Sequence, residues 1–328
     1  MYHEIKSIYS LKAILMLFII SLHSGVLFGD SQLYTTVFPV FRIGVPTFFM
    51  ISGYFMFCTS LQDYYKHCKK AILKLIKLGM YGVSIYFLYY LVTHGYNYVH
   101  EIVSDCNSFV KWLCYGIPPL GAHLWYIFGY IYILLVSLLV FYSRKKTNLE
   151  LWNVIFLILL LYLMITLFCH YYHEPSKITC NWLISGIPSF FVGWYIRQEG
   201  IESRCSIRYI LPLTMFFLII TVLEGLFQKG KMGDLFYTTL PFSISTLLLF
   251  LKIKEKVNHV LYIIGKKYSM WMYIVHVMCI AITKHILLYL DLEPNLFVGL
   301  ISLLFVFLLS IFFSSIFRFL YKPILQLG

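Results

Sequence analysis

The chain runs to 328 residues, 60% hydrophobic and only 12% charged, with a mean hydropathy of +0.81. A soluble domain carries roughly 25% charged residues, so this composition excludes a soluble fold and leaves lipid as the solvent for most side chains. The formal charge of +12 does not point to nucleic acid, because the basic residues fall in short clusters between apolar runs and form no stripe on one surface.

A membrane-crossing helix needs about 20 mostly apolar residues. Ten such spans are predicted, over 8–28, 38–58, 72–95, 122–142, 150–170, 182–197, 207–225, 235–251, 268–290 and 296–320. The first does not read as a cleaved signal peptide, since His23 interrupts its apolar run and no small-residue cleavage site follows. The sixth and eighth are short and carry Pro188 and Pro241, which a membrane helix tolerates where neighbours satisfy the freed backbone groups. The longest connection, 96–121, holds Tyr96, Trp112, Pro118 and Pro119 and is expected outside, along the interface. Cys106 and Cys114 share it, so either a disulfide or two separate packing thiols fits there. The eight cysteines are scattered singly with no C-x-x-C pair, so no metal site is expected. No internal repeat is evident, and residues 1–328 read as a single transmembrane domain of the all-α polytopic class.

The basic residues orient these spans. With the N-terminus in the cytoplasm, the inner segments hold Lys6, the run Lys66, Lys69, Lys70, Lys74 and Lys77, then Arg144 to Lys146, Arg197 to Arg208, Lys252 to Lys267, and Arg318 with Lys322. The outer loops hold Lys111, Lys177, Lys229 and Lys231, and Lys284 sits near an outer end. This bias alternates at every loop and predicts that both termini are cytoplasmic.

An ionisable residue inside a span is costly and is a functional candidate by default. Lys12 and His23 lie eleven residues apart on the first span, about 20° beyond three full turns, so they share one face about 16 Å apart along the axis. That face is expected to look into the bundle, although a lysine that snorkels inward and a histidine that bonds a neighbouring helix remain the plainer alternatives. Arg42 is placed a turn inside the outer end of the second span, near the depth of His23, where it either snorkels outward or holds a carbonyl oxygen. Ser52 and Gly53 follow on the same span and permit close helix approach. His276 sits near mid-membrane in the ninth span beside Tyr273, facing the same cavity or packing with a satisfied ring. His123 and Trp125 open the fourth span, as an interfacial anchor or as a platform for a sugar.

At these residues the chain resembles the acyltransferase-3 family of bacterial integral membrane acyltransferases. The family carries a basic residue, ten residues and then a histidine in its first span, matched here by Lys12 and His23. Arg42 followed by Val45-Pro46-Thr47-Phe48-Phe49-Met50-Ile51-Ser52-Gly53-Tyr54 is similar to its second signature, and His123-Leu124-Trp125-Tyr126 to the opening of a middle span. Pro188 to Gly193 and Tyr268 to His276 resemble later signatures. The resemblance implies ten helices in the bacterial inner membrane and transfer of an acyl group, often acetyl, from cytoplasmic acyl-CoA to an envelope glycan or lipid-linked sugar. Two departures stand out. No extracytoplasmic esterase-like domain is appended, and Tyr126, Ile127, Phe128 and Gly129 follow Trp125 where many polysaccharide O-acetylases carry acidic residues. The acceptor is therefore left open.

On this reading His23 is the general base and Arg42 orients the reacting carbonyl or the acceptor. Lys12, Lys66, Lys69, Lys70 and Lys74 meet the anionic acyl-CoA, although topology and anionic lipid account for most of the exposed lysines without it. His123, Trp125, Ser52, Tyr273 and His276 are the candidate substrate contacts. No metal is required, and the partners expected are acyl-CoA, the acceptor and membrane lipid, with no nucleic acid. The competing reading is an exporter or flippase of a surface oligosaccharide, and the scarcity of acidic and amide residues within the spans weighs against it.

Overall fold

The computed structural model describes residues 4–147, 160–167, 181–228, 236–255 and 257–325. Among them every regular element is helical. In chain order these are α1 Lys6–His23, α2 Gln32–Phe41, α3 Gly44–Met56, α4 Leu61–His94, α5 Tyr96–Ser104, α6 Cys106–Tyr115, α7 Trp125–Thr147, α8 Ile187–Gln198, α9 Ile207–Phe227, α10 Thr239–Ile253, α11 His259–Lys267, α12 Ser269–Tyr289 and α13 Leu296–Leu325. Residues 160–167 are also helical. The chain is an all-α polytopic membrane protein.

Seven helical segments among the described residues are long and apolar enough to cross a bilayer: Lys6–His23, Gln32–Met56, Leu61–His94, Ala122–Ser143, Ile207–Phe227, Ser269–Tyr289 and Leu296–Tyr321. They fall on the first four, the seventh, the ninth and the tenth of the expected spans. Most of the fifth, 150–170, lies outside the described residues. The sixth and eighth are short helices, α8 and the 15-residue α10. At 1.5 Å per residue α10 reaches about 22 Å, less than a hydrocarbon core of about 30 Å. Both bury most of their side chains, so protein rather than lipid surrounds them.

The prolines shape two of these segments. Pro46 has no N–H to give the carbonyl of Arg42, four residues back, and the second span breaks there into α2 and α3. Ser31 starts α2 early by accepting from the Tyr34 N–H at 3.3 Å. Arg42 therefore lies ten residues beyond the start of α2, deeper than the single turn expected from the sequence. Pro188 likewise leaves the carbonyl of Ile184 without its donor, and α8 is entered through a π-helical turn, Trp182–Gly186.

The helix α4 has 34 residues and spans about 51 Å, so its first turns, which carry Lys66, Lys69 and Lys70, extend past the hydrocarbon core. Its other end stops at Gly95, in positive φ. Beyond it the expected outer loop forms α5 and α6. Asp105 caps α6 by accepting from the N–H groups of Asn107 and Ser108 at 3.1 and 3.0 Å. Cys106 and Cys114 stand near opposite ends of α6, eight residues and about 12 Å apart, and both are free. A disulfide needs Cα atoms within about 7 Å, so the fold rules out the intrachain bond that the sequence left open.

Close backbone crossings hold the centre. A Cβ on Gly53 of α3 would lie 1.9 Å from the Phe190 carbonyl oxygen, and one on Gly193 of α8 would lie 1.9 Å from the Met50 carbonyl oxygen. The two helices thus touch backbone to backbone, as the small-residue pattern allows. On the other side α1 leans on α11, where a Cβ at Gly265 would lie 1.7 Å from the Tyr9 carbonyl oxygen. Exposed ion pairs trim this end of the bundle: Lys266 to Glu4 at 2.7 Å and Lys6 to Glu255 at 2.7 Å. Hydrogen bonds from Lys266 and then Tyr262 hold the Glu4 carboxyl below its ordinary range, and the bond to Glu4 pushes the Lys266 ammonium up. Being exposed, these pairs are worth little to stability individually.

Candidate active site

His23 is the last residue of α1. Its ring meets two others, with centroids 5.1 Å from His276 and 6.5 Å from His123, and those two are 5.1 Å apart. The three come from distant parts of the chain. His276 lies in α12, and His123 lies on the single 3-10 turn Ala122–Leu124. That turn is opened by Gly121 at φ +76°, where a Cβ would press within 2.9 Å of the Tyr86 ring. Only glycine meets both demands there.

His123 and His276 are buried, whereas His23 is exposed. The first two are held by backbone. His123 Nε2 lies 3.1 Å from the Ile274 carbonyl, and His276 Nδ1 lies 2.8 Å from the Tyr273 carbonyl. A carbonyl oxygen only accepts, so the bonded nitrogen carries the proton, and in each neutral ring the other nitrogen is a bare lone pair. Tyr86 braces the same strip of α12, donating to the Ile274 carbonyl at 3.0 Å and accepting from the Met278 N–H at 3.2 Å. Tyr273 donates its hydroxyl to the His123 carbonyl. Its ring stands 5.7 Å from that of His276.

Arg42 joins this group at the break between α2 and α3. Its guanidinium sits 4.8 Å from the Phe38 ring centroid, and its charge acts on the His23 ring. A fixed cation beside an exposed imidazole is suited to a reaction in which negative charge develops on a carbonyl oxygen.

Lys12 is half-buried on the same helix. It opens a narrow interior cleft of about 80 Å³, whose walls include Met16, Ile19, Val45, Phe48, Ser52, Tyr126, Tyr130 and Tyr273. Along α1 the cleft touches Lys12, Met16 and Ile19, so it stops one turn short of His23. Tyr273 lines the cleft with one part and contacts the histidines with another. Lys74 on α4 acts electrostatically on Lys12.

The fold thus brings His23, His123, His276 and Tyr273 into one cluster, with Arg42 near enough for its charge to act on His23, and Lys12, Ser52 and Tyr273 into an adjoining cleft. Trp125 does not line the cleft; its ring lies 6.2 Å from that of Phe49. Lys66, Lys69 and Lys70 are exposed on α4 and do not line the cleft, and Lys66 pairs with Asp63 at 3.9 Å. Tyr86, Tyr126 and Tyr130 carry the site without having been singled out in the sequence. Their signal was a phenol inside an apolar span, a group that needs a hydrogen-bond partner when buried. Among the described residues no group of three or more histidine, cysteine or acidic side chains is arranged to hold a metal.

A family model described as an acyltransferase domain, Acyl_transf_3, matches residues 5–318. The chain belongs to the acyltransferase-3 family. No curated protein and no solved structure matches it. This acyltransferase-3 protein is accordingly a multi-pass membrane acyltransferase. The matched stretch contains every residue of the histidine cluster and the Lys12 cleft. The motifs on α1, α3, α7 and α12 lie far apart in this acyltransferase, and each supplies part of a cleft that exists only once these helices are packed.

Proposed function

We propose that this acyltransferase moves an acyl group, acetyl in the simplest case, from cytoplasmic acyl-CoA to a hydroxyl of an envelope glycan or lipid-linked sugar in the bacterial inner membrane. One observation carries the reading: on a single helix, His23 is the exposed member of a histidine cluster while Lys12, three turns away, opens a thin interior cleft. Lys12 faces the cytoplasmic side in the topology that the loop charges favour, and His23 faces the other.

The donor is an anion at one end and a thioester on a thin arm at the other. Lys66, Lys69, Lys70 and Lys74 along α4 attract its phosphates, and Lys12 takes the arm at the mouth of the cleft. A volume of about 80 Å³ is that of two or three liquid waters, suited to a chain and not to a sugar ring. This favours acyl transfer over oligosaccharide export. The thioester passes Ile19 and Tyr273 to meet His23. The bare nitrogen of His23 takes the proton of the acceptor hydroxyl as its oxygen attacks the thioester carbonyl. A new C–O ester bond forms, the C–S bond breaks, and coenzyme A leaves as a thiolate that recovers the proton from His23. Arg42 holds the carbonyl oxygen while it is negative. Ser52 borders the route, and the acceptor approaches the exposed side of His23.

The test is turnover in the purified, reconstituted protein, read as loss of acetyl-CoA thioester and as acceptor mass gain. The His23→Ala variant is expected to lose about 10²–10⁴-fold in rate, the range of a general base. Wild-type turnover in a normally inserted His23→Ala protein would falsify the mechanism. Mass spectra of envelope glycans from cells with and without the gene name the acyl group and the acceptor by the mass that disappears.

A further inference from the structure

The buried nitrogen of His276 has a chemistry that the acyl-transfer reading does not use. Its Nδ1 donates to the Tyr273 carbonyl at 2.8 Å, so Nε2 is the bare acceptor of the neutral ring. That Nε2 is fully buried and has no hydrogen-bond partner among the described residues. A buried acceptor without a donor is costly, and native folds rarely leave one without a reason.

The groups in ring contact with His276 are His23, His123 and Tyr273. Tyr273 has given its hydroxyl proton to the His123 carbonyl. His123 has given its one N–H to the Ile274 carbonyl. His23 remains as the neighbour with an uncommitted N–H, and its centroid is 5.1 Å away. At that separation a turn of the exposed His23 ring, with His276 held by its bond to the Tyr273 carbonyl, brings the two nitrogens toward an N–H···N bond of ordinary length, about 2.9 Å. Catalytic hydrogen bonds of this kind are commonly long before substrate binds.

We propose that His276 is a positioning residue whose bare Nε2 accepts the ring N–H of His23, fixing which nitrogen of His23 takes the acceptor's proton. The proposal rests on the acyl-transfer reading and adds a tautomer to it. With its N–H turned inward to α12, His23 presents its lone pair on the exposed side, where the acceptor hydroxyl arrives. When His23 takes that proton it becomes cationic, and the bond to His276 becomes charge-assisted. The interaction strengthens as the reaction proceeds, so it belongs to rate and not to substrate affinity.

The test uses the full-length reconstituted protein with acetyl-CoA and an acceptor that the wild type modifies. His276→Ala is expected to lower kcat at least thirtyfold while leaving both KM values within threefold. His276→Gln places an amide oxygen near the old Nε2; it accepts an N–H but cannot carry a proton, and it is expected to recover kcat to within tenfold of wild type. A rise in acceptor KM with kcat unchanged would make His276 a substrate contact and overturn the proposal. So would a folded Gln variant as inactive as the Ala variant, or an Ala variant as fast as wild type. If the Ala protein does not fold, the Gln variant decides alone by the same kcat criterion. A wild type that consumes no acetyl-CoA sinks the acyl-transfer reading itself, whereas a working wild type with these contrary variants sinks only the role of His276.

Discussion

Lys12 and His23 mark the two ends of one face of α1, and their surroundings differ in a way that separates binding from chemistry. Lys12 borders a cleft built from side chains that offer it no carboxylate, with the Tyr9 ring centroid 5.4 Å from its ammonium. An ammonium so placed is ready for an anion from outside. Lys12→Met keeps the length and removes the charge. It is expected to raise the KM for acetyl-CoA about tenfold, near 1.4 kcal/mol, with kcat little changed, since one charge-assisted contact is worth about that much. An unchanged donor KM would leave Lys12 as a lysine that only snorkels to headgroups. At this scale the sequence was most legible for α1, because eleven residues is close to three helical turns and one face follows from arithmetic. The meeting of His23 with His123 and His276 was not legible. It depends on how α7 and α12 pack across more than 150 residues of chain, and the local pattern around His276 fits a plain packing histidine equally well.

Between helices, the crossing of α3 and α8 positions the cleft wall that carries Ser52. Gly53 and Gly193 face the opposing carbonyls so closely that a methyl group at either must push the helices apart. Gly53→Ala is expected to cost about 2–3 kcal/mol, the upper range for overpacking a tight contact. A thermal melt of the purified protein reads it, and a midpoint equal to wild type would mean that the crossing yields more than these distances allow. The small residues that announce this crossing were visible in the sequence. The break at Arg42 was partly visible as well, since Pro46 removes a donor at a known offset. The early start of α2 at Ser31 was missed, because hydropathy weighs apolar runs and overlooks a cap. The shortness of α10 was legible in the sequence, and a helix surrounded by protein does not need the length that lipid demands.

The whole molecule wears its apolar side chains outward. Val92 of α4 is 84% exposed and Phe319 of α13 is 79% exposed, as befits surfaces that face lipid. Which end faces the cytoplasm rests on the loop charges, and it can be read directly. In a protein whose other cysteines are replaced, Cys106 is expected to react with a membrane-impermeant maleimide in intact cells. In the same background without Cys106, Lys66→Cys is expected to react only after permeabilisation. The opposite pattern would invert the bundle and place Lys12 on the wrong side for a cytoplasmic donor. Among the described residues the cleft from Lys12 reaches no further along α1 than Ile19, a turn before His23, and Tyr273 stands between it and the histidine cluster. A passage open from one face of a membrane to the other would leak ions. Tyr273, whose hydroxyl is donated to the His123 carbonyl, is the side chain that stands between the cleft and the cluster, so whatever reaches His23 from the Lys12 end must move this one ring.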